Sequence, residues 1–262
     1  MMAVSVVIPV FNEAGNIGSL VRETAACLRD LAEFEIIVVD DASSDETACE
    51  VQELLGEFPE LRYIRHGFRA GQSAAIRTGV KAARQPIIAT MDGDGQNDPR
   101  DIEHLLAHMR SANRSEIALV GGVRRHRKAS ASKRIASRLA NGIRRRFLKD
   151  DCPDTGCGLK VFRRDVYLDL PYFSGMHRYL PALFQAYGYE GSYRVVNDRP
   201  RRAGVSKYTN FGRGLIGLYD LIGVRWIIRR TALPHMPGVR DGAPFTSSNA
   251  STREDRQCLQ RS

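Results

Sequence analysis

The sequence predicts an α/β fold, a largely parallel sheet held between two layers of helices. Three observations predict it. Apolar, β-branched runs alternate with segments of helical period from the first residues to about residue 124. The runs themselves, AVSVVIPV, FEIIVVDD and PIIATM, are apolar almost throughout, as strands covered on both faces are. Strand and helix follow one another in short units, the arrangement that joins parallel neighbours by a covering helix.

Each element can be justified in order. Ala3 to Val10 reads as the first strand, and a helix follows Asn12 with Ile17, Leu20, Val21, Ala25, Leu28 and Leu31 at helical spacing. Phe34 to Asp41 is the second strand. Ser43-Ser44-Asp45-Glu46 reads as a capping box in which Ser43 and Glu46 satisfy each other's amides, opening a helix with Val51, Leu54, Leu55 and Phe58 inward. Leu61 to Arg65 is a third strand, and Gln72 to Arg84 a helix entered through Gly67 and Gly71. After the Pro86–Met91 strand, Asp98-Pro99 starts a helix that turns Ile102, Leu105, Leu106 and Met109 inward, and Ile117 to Val123 is the next strand. The pattern then changes. Ser130 to Lys149 reads as a basic helix, Asp154 to Arg164 as a glycine-rich turn into a strand, His177 to Tyr187 as a helix and Ser192 to Asn197 as a strand. The predicted organisation is one α/β domain over 1–211, an amphipathic helix over 212–230, and a tail over 231–262 rich in Pro, Gly, Ser and Thr that is expected to be disordered.

Composition narrows the function classes. Hydrophobic content of 43% supports a sizeable core, and no 18-residue uncharged apolar stretch occurs, so no complete transmembrane helix is expected. The start reads as a strand and not as a signal peptide. Cys27, Cys49, Cys152, Cys157 and Cys258 are odd in number without ligand spacing, as expected of reduced thiols in a cytosolic protein. The net charge of +9 is concentrated between Arg124 and Lys149, a stretch without Asp or Glu. That stretch lacks the interleaved aromatics of a nucleic-acid surface, so phosphate or anionic membrane contact is expected in place of nucleic acid, with a purely solvated face as the alternative. His104 and His108, four apart and off the apolar face of their helix, have no acidic or cysteine partner and read as a solvated surface. The sequons at Asn113 and Asn249 lack a secretory context.

The chemistry lies at strand ends. PIIATM runs without a spacer into Asp92-Gly93-Asp94-Gly95-Gln96. Alternate side chains of an extended chain share a face, so Asp92, Asp94 and Gln96 can converge on one point. Three oxygen donors there suit a hard cation such as Mg²⁺ or Mn²⁺, and the glycines let a phosphate approach the backbone. The bland alternative is an ordinary Asp/Gly turn. Two further strand ends argue against it. FEIIVVDD finishes in Asp40 and Asp41, and AVSVVIPV leads into Phe11-Asn12-Glu13. In open α/β sheets ligands bind outside the carboxyl ends of the strands, so these three ends describe one site. Neither G-x-G-x-x-G nor a P-loop follows the first strand, which sets aside dinucleotide oxidoreductases and P-loop enzymes.

Taken in order, VVIPVFNEAGNI, IIVVDDASSDET, GQSAAIRTG, MDGDGQ, DTGCGLKVFRR and RRAGVSKY give a resemblance over roughly residues 3–230. The chain resembles family 2 glycosyltransferases of GT-A fold, of the dolichol/polyprenyl-phosphate sugar transferase (dolichol-phosphate mannosyltransferase-like) type. The resemblance implies a metal-dependent, inverting hexosyltransferase of cell-envelope biogenesis that moves a sugar from a UDP- or GDP-linked donor to a polyprenyl or dolichyl monophosphate. Other family 2 acceptors (lipid A, polysaccharide, glycolipid) and a non-catalytic membrane-surface module are the alternatives. It further implies that Pro9, Phe11, Asn12 and Glu13 line the base and ribose, and that Asp41 faces the base or ribose with Asp40 in support. Asp92, Asp94 and Gln96 would hold the cation and donor diphosphate, and Arg202, Ser206 and Lys207 would close over the phosphates. A lipid monophosphate is mostly dianionic at pH 7, with a second pKa of about 6, and needs orientation more than a general base. Relatives often carry two C-terminal transmembrane helices that this sequence lacks, so the expected location is the cytoplasm at the inner face of the cytoplasmic membrane. Contact there would be peripheral or through a separate membrane-protein partner. Within GRGLIGLYDLIGVRWIIRR, Leu215, Leu218, Tyr219, Ile222 and Trp226 form an apolar stripe flanked by Arg213, Arg225, Arg229 and Arg230, suited to an interfacial helix or to packing on protein.

Overall fold

The computed structural model describes residues 3–30, 33–111, 117–124, 142, 144–200 and 210–231. Seven strands form one sheet in the order β3-β2-β1-β4-β6-β5-β7. They are β1 Val4–Val10, β2 Phe34–Asp40, β3 Leu61–Arg65, β4 Ile87–Thr90, β5 Ile117–Arg124, β6 Lys160–Arg163 and β7 Glu190–Val196. Strands β1 to β4 pair in parallel, as the alternating pattern predicts. The departure is β6, which runs antiparallel between β4 and β5, while β7 pairs parallel with β5. The sequence reading could not see this insertion, because the order in which strands pair after the pattern change leaves no local signature.

Helices cover both faces. Helices α1 (Ile17–Leu28), α2 (Thr47–Leu54) and α4 (Arg100–Ser111) lie on one, where Ile17, Val21, Val51, Ile102 and Leu105 pack on Val4, Val6, Ile8, Ile36 and Val38. Helices α3 (Gln72–Ala82), α5 (Arg164–Asp169), α6 (Leu180–Ala186) and α7 (Asn210–Arg230) lie on the other, with Val7, Ile37, Val39 and Phe162 beneath them. Adjacent residues of β1 and β2 therefore feed opposite cores, which is why those runs are apolar throughout.

Several local expectations are corrected. The capping box does not form. Ser43 Oγ instead accepts from the Asn12 amide at 2.9 Å, and the first turn of α2 is held by Asp45, which accepts from the Thr47 amide at 3.1 Å. Ser43 is drawn off because the Phe11–Asn16 loop lies against it and supplies a partly buried amide that its hydroxyl satisfies. The predicted helix over 177–187 begins as a 3₁₀ turn, Met176–Arg178, and becomes α6 only at Leu180. His108 is not simply solvated, since it bonds Ser192 Oγ of β7 at 2.8 Å and faces Arg194 at 2.9 Å. Of the predicted basic helix, 144–148 is helical and most of the remainder lies outside the described residues, as do Leu31 and the tail from Ala232 onward. No helix among the described residues is long and apolar enough to cross a membrane.

Candidate active site

The strand order explains why three separated motifs meet. With β1 between β2 and β4, the residues after Val10, Asp40 and Thr90 emerge side by side at the carboxyl ends of these strands. The order of successive strands reverses there, running outward through β2 and β3 on one side of β1 and resuming with β4 on the other, which is the place where doubly wound sheets bind ligands.

At the β4 end, the Asp92 amide donates to Asn97 Oδ1 at 3.0 Å and the Gln96 amide to Asp94 Oδ1 at 3.1 Å, closing the acidic segment into a tight turn. Asp94 is 9% exposed, and Asp92 and Gln96 are partly buried. Gln72 Nε2, at the start of α3, donates to Asp92 Oδ1 at 2.8 Å. Burial and the neighbouring Asp94 charge push the Asp92 carboxyl up, against the pull of Lys160, Arg124 and the Gln72 bond. A carboxylate held in that state gains from a nearby cation. Among the described residues no three His, Cys, Asp or Glu side chains come together as a metal cage. A cation at Asp92 and Asp94 would then complete its shell from Gln96, water and a ligand's phosphates, as Mg²⁺ commonly does.

Gly158 makes room for Asp92. A Cβ there would lie 2.3 Å from Asp92 Oδ2 and 2.4 Å from its Cγ, so only glycine fits beneath the carboxylate. Gly93 is likewise required, since a Cβ would meet Val10 Cγ1 at 2.7 Å where the turn crosses the end of β1. Lys160, 5% exposed, donates its ammonium to the Cys157 carbonyl. Arg124 forms a fork on Asp154, with Nε and Nη2 each 2.8 Å from a carboxylate oxygen. Pro9, Gln72, Thr90, Asp92, Lys160 and His177 line a small cavity against this turn.

At the β1 and β2 ends the anticipated residues adopt more structural postures. Asn12 takes a left-handed φ of 53°, and its Oδ1 accepts from the Ser44 amide at 2.8 Å. Glu13 Oε2 accepts from Asn16 Nδ2 at 3.0 Å. Phe11 carries the Arg69 guanidinium over its ring at 4.1 Å. Asp40 is fully buried, accepting from the Ser43 amide at 2.7 Å and from Tyr63 Oη at 2.7 Å. Asp41, 3% exposed, lies 2.8 Å from His66 Nδ1 and accepts from the amides of Ala70 at 2.8 Å and Gly71 at 2.7 Å. The structure thus places Asp41 behind the loop that precedes α3, which it holds through two amides, while Asp40 ties the turn after β2 to β3.

Arg202, Ser206 and Lys207 lie outside the described residues. The chain that leads to them does not. The Arg199 amide donates to the Gln96 carbonyl at 2.9 Å, and Asn97 forms an antiparallel bridge with Asp198. Sequence reasoning missed Gln72, Gly158, Lys160 and the Arg124–Asp154 fork. The first three stood inside motifs quoted for the resemblance, but only the fold shows that they surround Asp92.

The family model described as "Glycosyl transferase family 2" matches residues 5–170. The chain belongs to glycosyltransferase family 2. Among curated proteins, it is 35% identical to the dodecaprenyl-phosphate galacturonate synthase of Rhizobium johnstonii over 240 residues, covering 89% of this chain and 69% of that protein. It is 34% identical to the undecaprenyl-phosphate 4-deoxy-4-formamido-L-arabinose transferase of Pseudomonas fluorescens over 224 residues, covering 84% of this chain and 64% of that one. Among solved structures, glucosyl-3-phosphoglycerate synthase from Mycobacterium tuberculosis in complex with Mn²⁺, UDP-glucose and glycerol 3-phosphate superposes with a TM-score of 0.63 at 18% identity. That superposition spans 86% of this chain and 80% of the other, and establishes a shared GT-A fold.

Proposed function

We propose that this glycosyltransferase moves a sugar from a nucleotide-diphosphate donor to a polyprenyl monophosphate, with inversion, at the inner face of the cytoplasmic membrane. The observation that carries the reading is the Asp92–Gln96 turn at the switch point of the sheet, with the chain bearing Arg202 and Lys207 hydrogen-bonded to it through Arg199. The first two curated relatives both carry polyprenyl phosphate in their names, which supports the acceptor class.

Asp92, Asp94 and Gln96 would hold Mg²⁺ or Mn²⁺ together with the donor diphosphate. The cation would neutralise charge on the leaving diphosphate. Pro9, Phe11, Asn12 and Glu13 would border the base and ribose, and Asp41, braced by Asp40, would set the loop that reaches them. Arg202 is three residues beyond Arg199, a span of at most about 11 Å, and it would close over the phosphates together with Ser206 and Lys207. In the reaction an oxygen of the lipid phosphate forms a bond to the anomeric carbon. The bond from that carbon to the diphosphate breaks, and the nucleoside diphosphate leaves with the electron pair. A dianionic phosphate brings no proton to remove, so no general base is needed, and preorganised positive charge supplies most of the stabilisation. Membrane contact would run through the outward side of α7, where Tyr219, Ile222 and Trp226 are exposed beside Arg225, Arg229 and Arg230.

The test is a panel of labelled UDP- and GDP-sugars with Mn²⁺, scored for label extracted into organic solvent with undecaprenyl or dolichyl phosphate. Acceptor-dependent label from at least one donor is expected. Transfer only to a water-soluble acceptor, or none at all, would reject the proposal.

A further inference from the structure

His177 has no part in the reaction described above, yet it is tied to the acidic turn through two consecutive residues. Helix α3 starts at Gln72 without a side-chain cap. Its first residue holds Asp92 through the 2.8 Å bond from Gln72 Nε2. Its second, Ser73, is 3% exposed and places Oγ 2.6 Å from His177 Nδ1, and the His177 amide approaches the same oxygen at 3.4 Å. These contacts link residues 104 positions apart. The 3₁₀ turn that carries His177 is anchored in turn, because Tyr179 Oη donates to the Gly217 carbonyl of α7 at 3.2 Å. One end of α3 is thus gripped from two sides, by the candidate cation turn and by an imidazole on a separate element.

We propose that His177 is a positioning residue for sugar transfer. Through Ser73 it fixes the start of α3, so that Gln72 holds the Asp92 carboxylate in the orientation a cation and donor diphosphate require. The proposal rests on Asp92 serving the donor. A hydroxyl and an imidazole nitrogen at this separation share one proton, so either tautomer of His177 makes the bond with Ser73 as donor or acceptor. Without it, the uncapped first turn of α3 is free to shift, and groups that orient ligands of a metal typically change affinity or rate by about 10–100-fold when removed.

The experiment compares His177→Ala, Ser73→Ala, the double variant, His177→Asn and His177→Gln. Asparagine carries a polar atom where histidine has Nδ1, and glutamine carries one where histidine has Nε2, so only the former can replace the bond to Ser73. Mn²⁺ affinity is read by electron paramagnetic resonance in the presence of UDP or GDP, and kcat and KM for polyprenyl phosphate in steady state. Each single alanine variant is expected to weaken Mn²⁺ binding and lower kcat by about tenfold, leaving acceptor KM within about twofold. The double variant should be no worse than either single, and His177→Asn should recover most of the loss while His177→Gln does not. Unchanged Mn²⁺ affinity and kcat in His177→Ala, additive losses, or no recovery in His177→Asn would each overturn the proposal. A raised acceptor KM at unchanged kcat would also do so, by making His177 an acceptor contact. If the unaltered protein binds no Mn²⁺ and transfers nothing, the reading of Asp92 has failed. Amide exchange at Ala74 and Ala75, which donate to the Gly71 carbonyl, then decides the tie by itself. Faster exchange in His177→Ala but not in His177→Asn sustains it, and equal exchange in both refutes it.

Discussion

Gly158→Ala tests the geometry of the acidic turn without touching any of its polar groups. The added methyl carbon would sit 2.3–2.6 Å from the three outer atoms of the Asp92 carboxyl, where ordinary contact needs roughly 3.5 Å or more. Relief therefore requires the carboxylate to move by about 1 Å, and a displacement of that size at a reacting centre can cost about 10²-fold in rate. The same movement strains the 2.8 Å bond from Gln72, a hydrogen bond to a charged group worth about 1.5–3 kcal/mol. Gly158 does not have a left-handed φ, so alanine brings no backbone penalty, and the side chain that must give way is short and polar. The expected result is a fall of about 100-fold in kcat/KM with the folded state retained, read by acceptor-dependent sugar transfer beside thermal melting. Transfer within about threefold of the unaltered protein, with the variant folded, would refute the idea that the seat of Asp92 controls the chemistry.

Asp94→Asn should abolish transfer and Mn²⁺ binding while leaving the melting temperature nearly unchanged, and full activity in EDTA would remove the metal from the reaction. Arg202→Ala and Lys207→Ala should lower kcat by tenfold or more with little change in donor KM, since their charge opposes charge that develops on the leaving group; unaltered kinetics would return them to a solvated loop. Glu35 offers a pH prediction remote from the site. Burial raises its pKa, but the Ser5 hydroxyl at 2.6 Å, the Arg84 amide at 2.6 Å and Arg62 at 2.7 Å outweigh that and lower it below 4.5. A carboxyl whose folded pKa is depressed contributes stability above about pH 4.5 that is lost as pH falls through the folded value. Glu35→Gln should therefore cost roughly 2 kcal/mol at pH 7 and flatten the acid limb of the stability curve, and an acid limb of unchanged slope would reject it.

How far the sequence could be read varied with the kind of signal. The parallel half was legible because β1 and β2 are apolar on both faces, and burial on both sides is what such runs encode. That the Asp92–Gln96 turn would lie beside the β1 and β2 ends followed from one rule about strand ends. What escaped was non-local. Nothing near Lys160 or Gly158 says that β6 will lie antiparallel against β4, and only that pairing places them under Asp92. Asp40 and Asp41 announced themselves as acids at a strand end, but Tyr63, which bonds Asp40, and Ala70 and Gly71, which bond Asp41, are more than 20 positions away, so the tie to β3 and the hold on the loop were invisible. Ser43 failed as a cap for a similar reason, since a distant amide competed for its hydroxyl.

Helix α7 shows why the stripe in its sequence pointed two ways. Leu221, 4% exposed, and Val224, 1% exposed, pack with Ile228 against the core around α6, and Arg225 reaches the Phe147 carbonyl. Those inward residues are not the ones the periodicity selected. Tyr219, Ile222 and Trp226 of the predicted stripe face outward, at 80%, 58% and 62% exposure. The helix is apolar on two sides, so a single stripe could not describe it, and the packed and membrane-facing readings need not exclude each other. This decides how the membrane contact must be tested. Removing residues from Gly212 onward would strip Leu221 and Val224 from the core and confound anchoring with folding. Replacing Tyr219, Ile222 and Trp226 together by serine alters only the outward side. Burying each such side chain is worth about 1.5–3 kcal/mol, so the triple variant should leave anionic liposomes with at least about tenfold weaker partitioning. Its activity should fall on long-chain polyprenyl phosphates and persist on short, water-soluble analogues. Equal activity on both acceptors with unchanged liposome binding would mean that the outward side of α7 meets something other than a membrane.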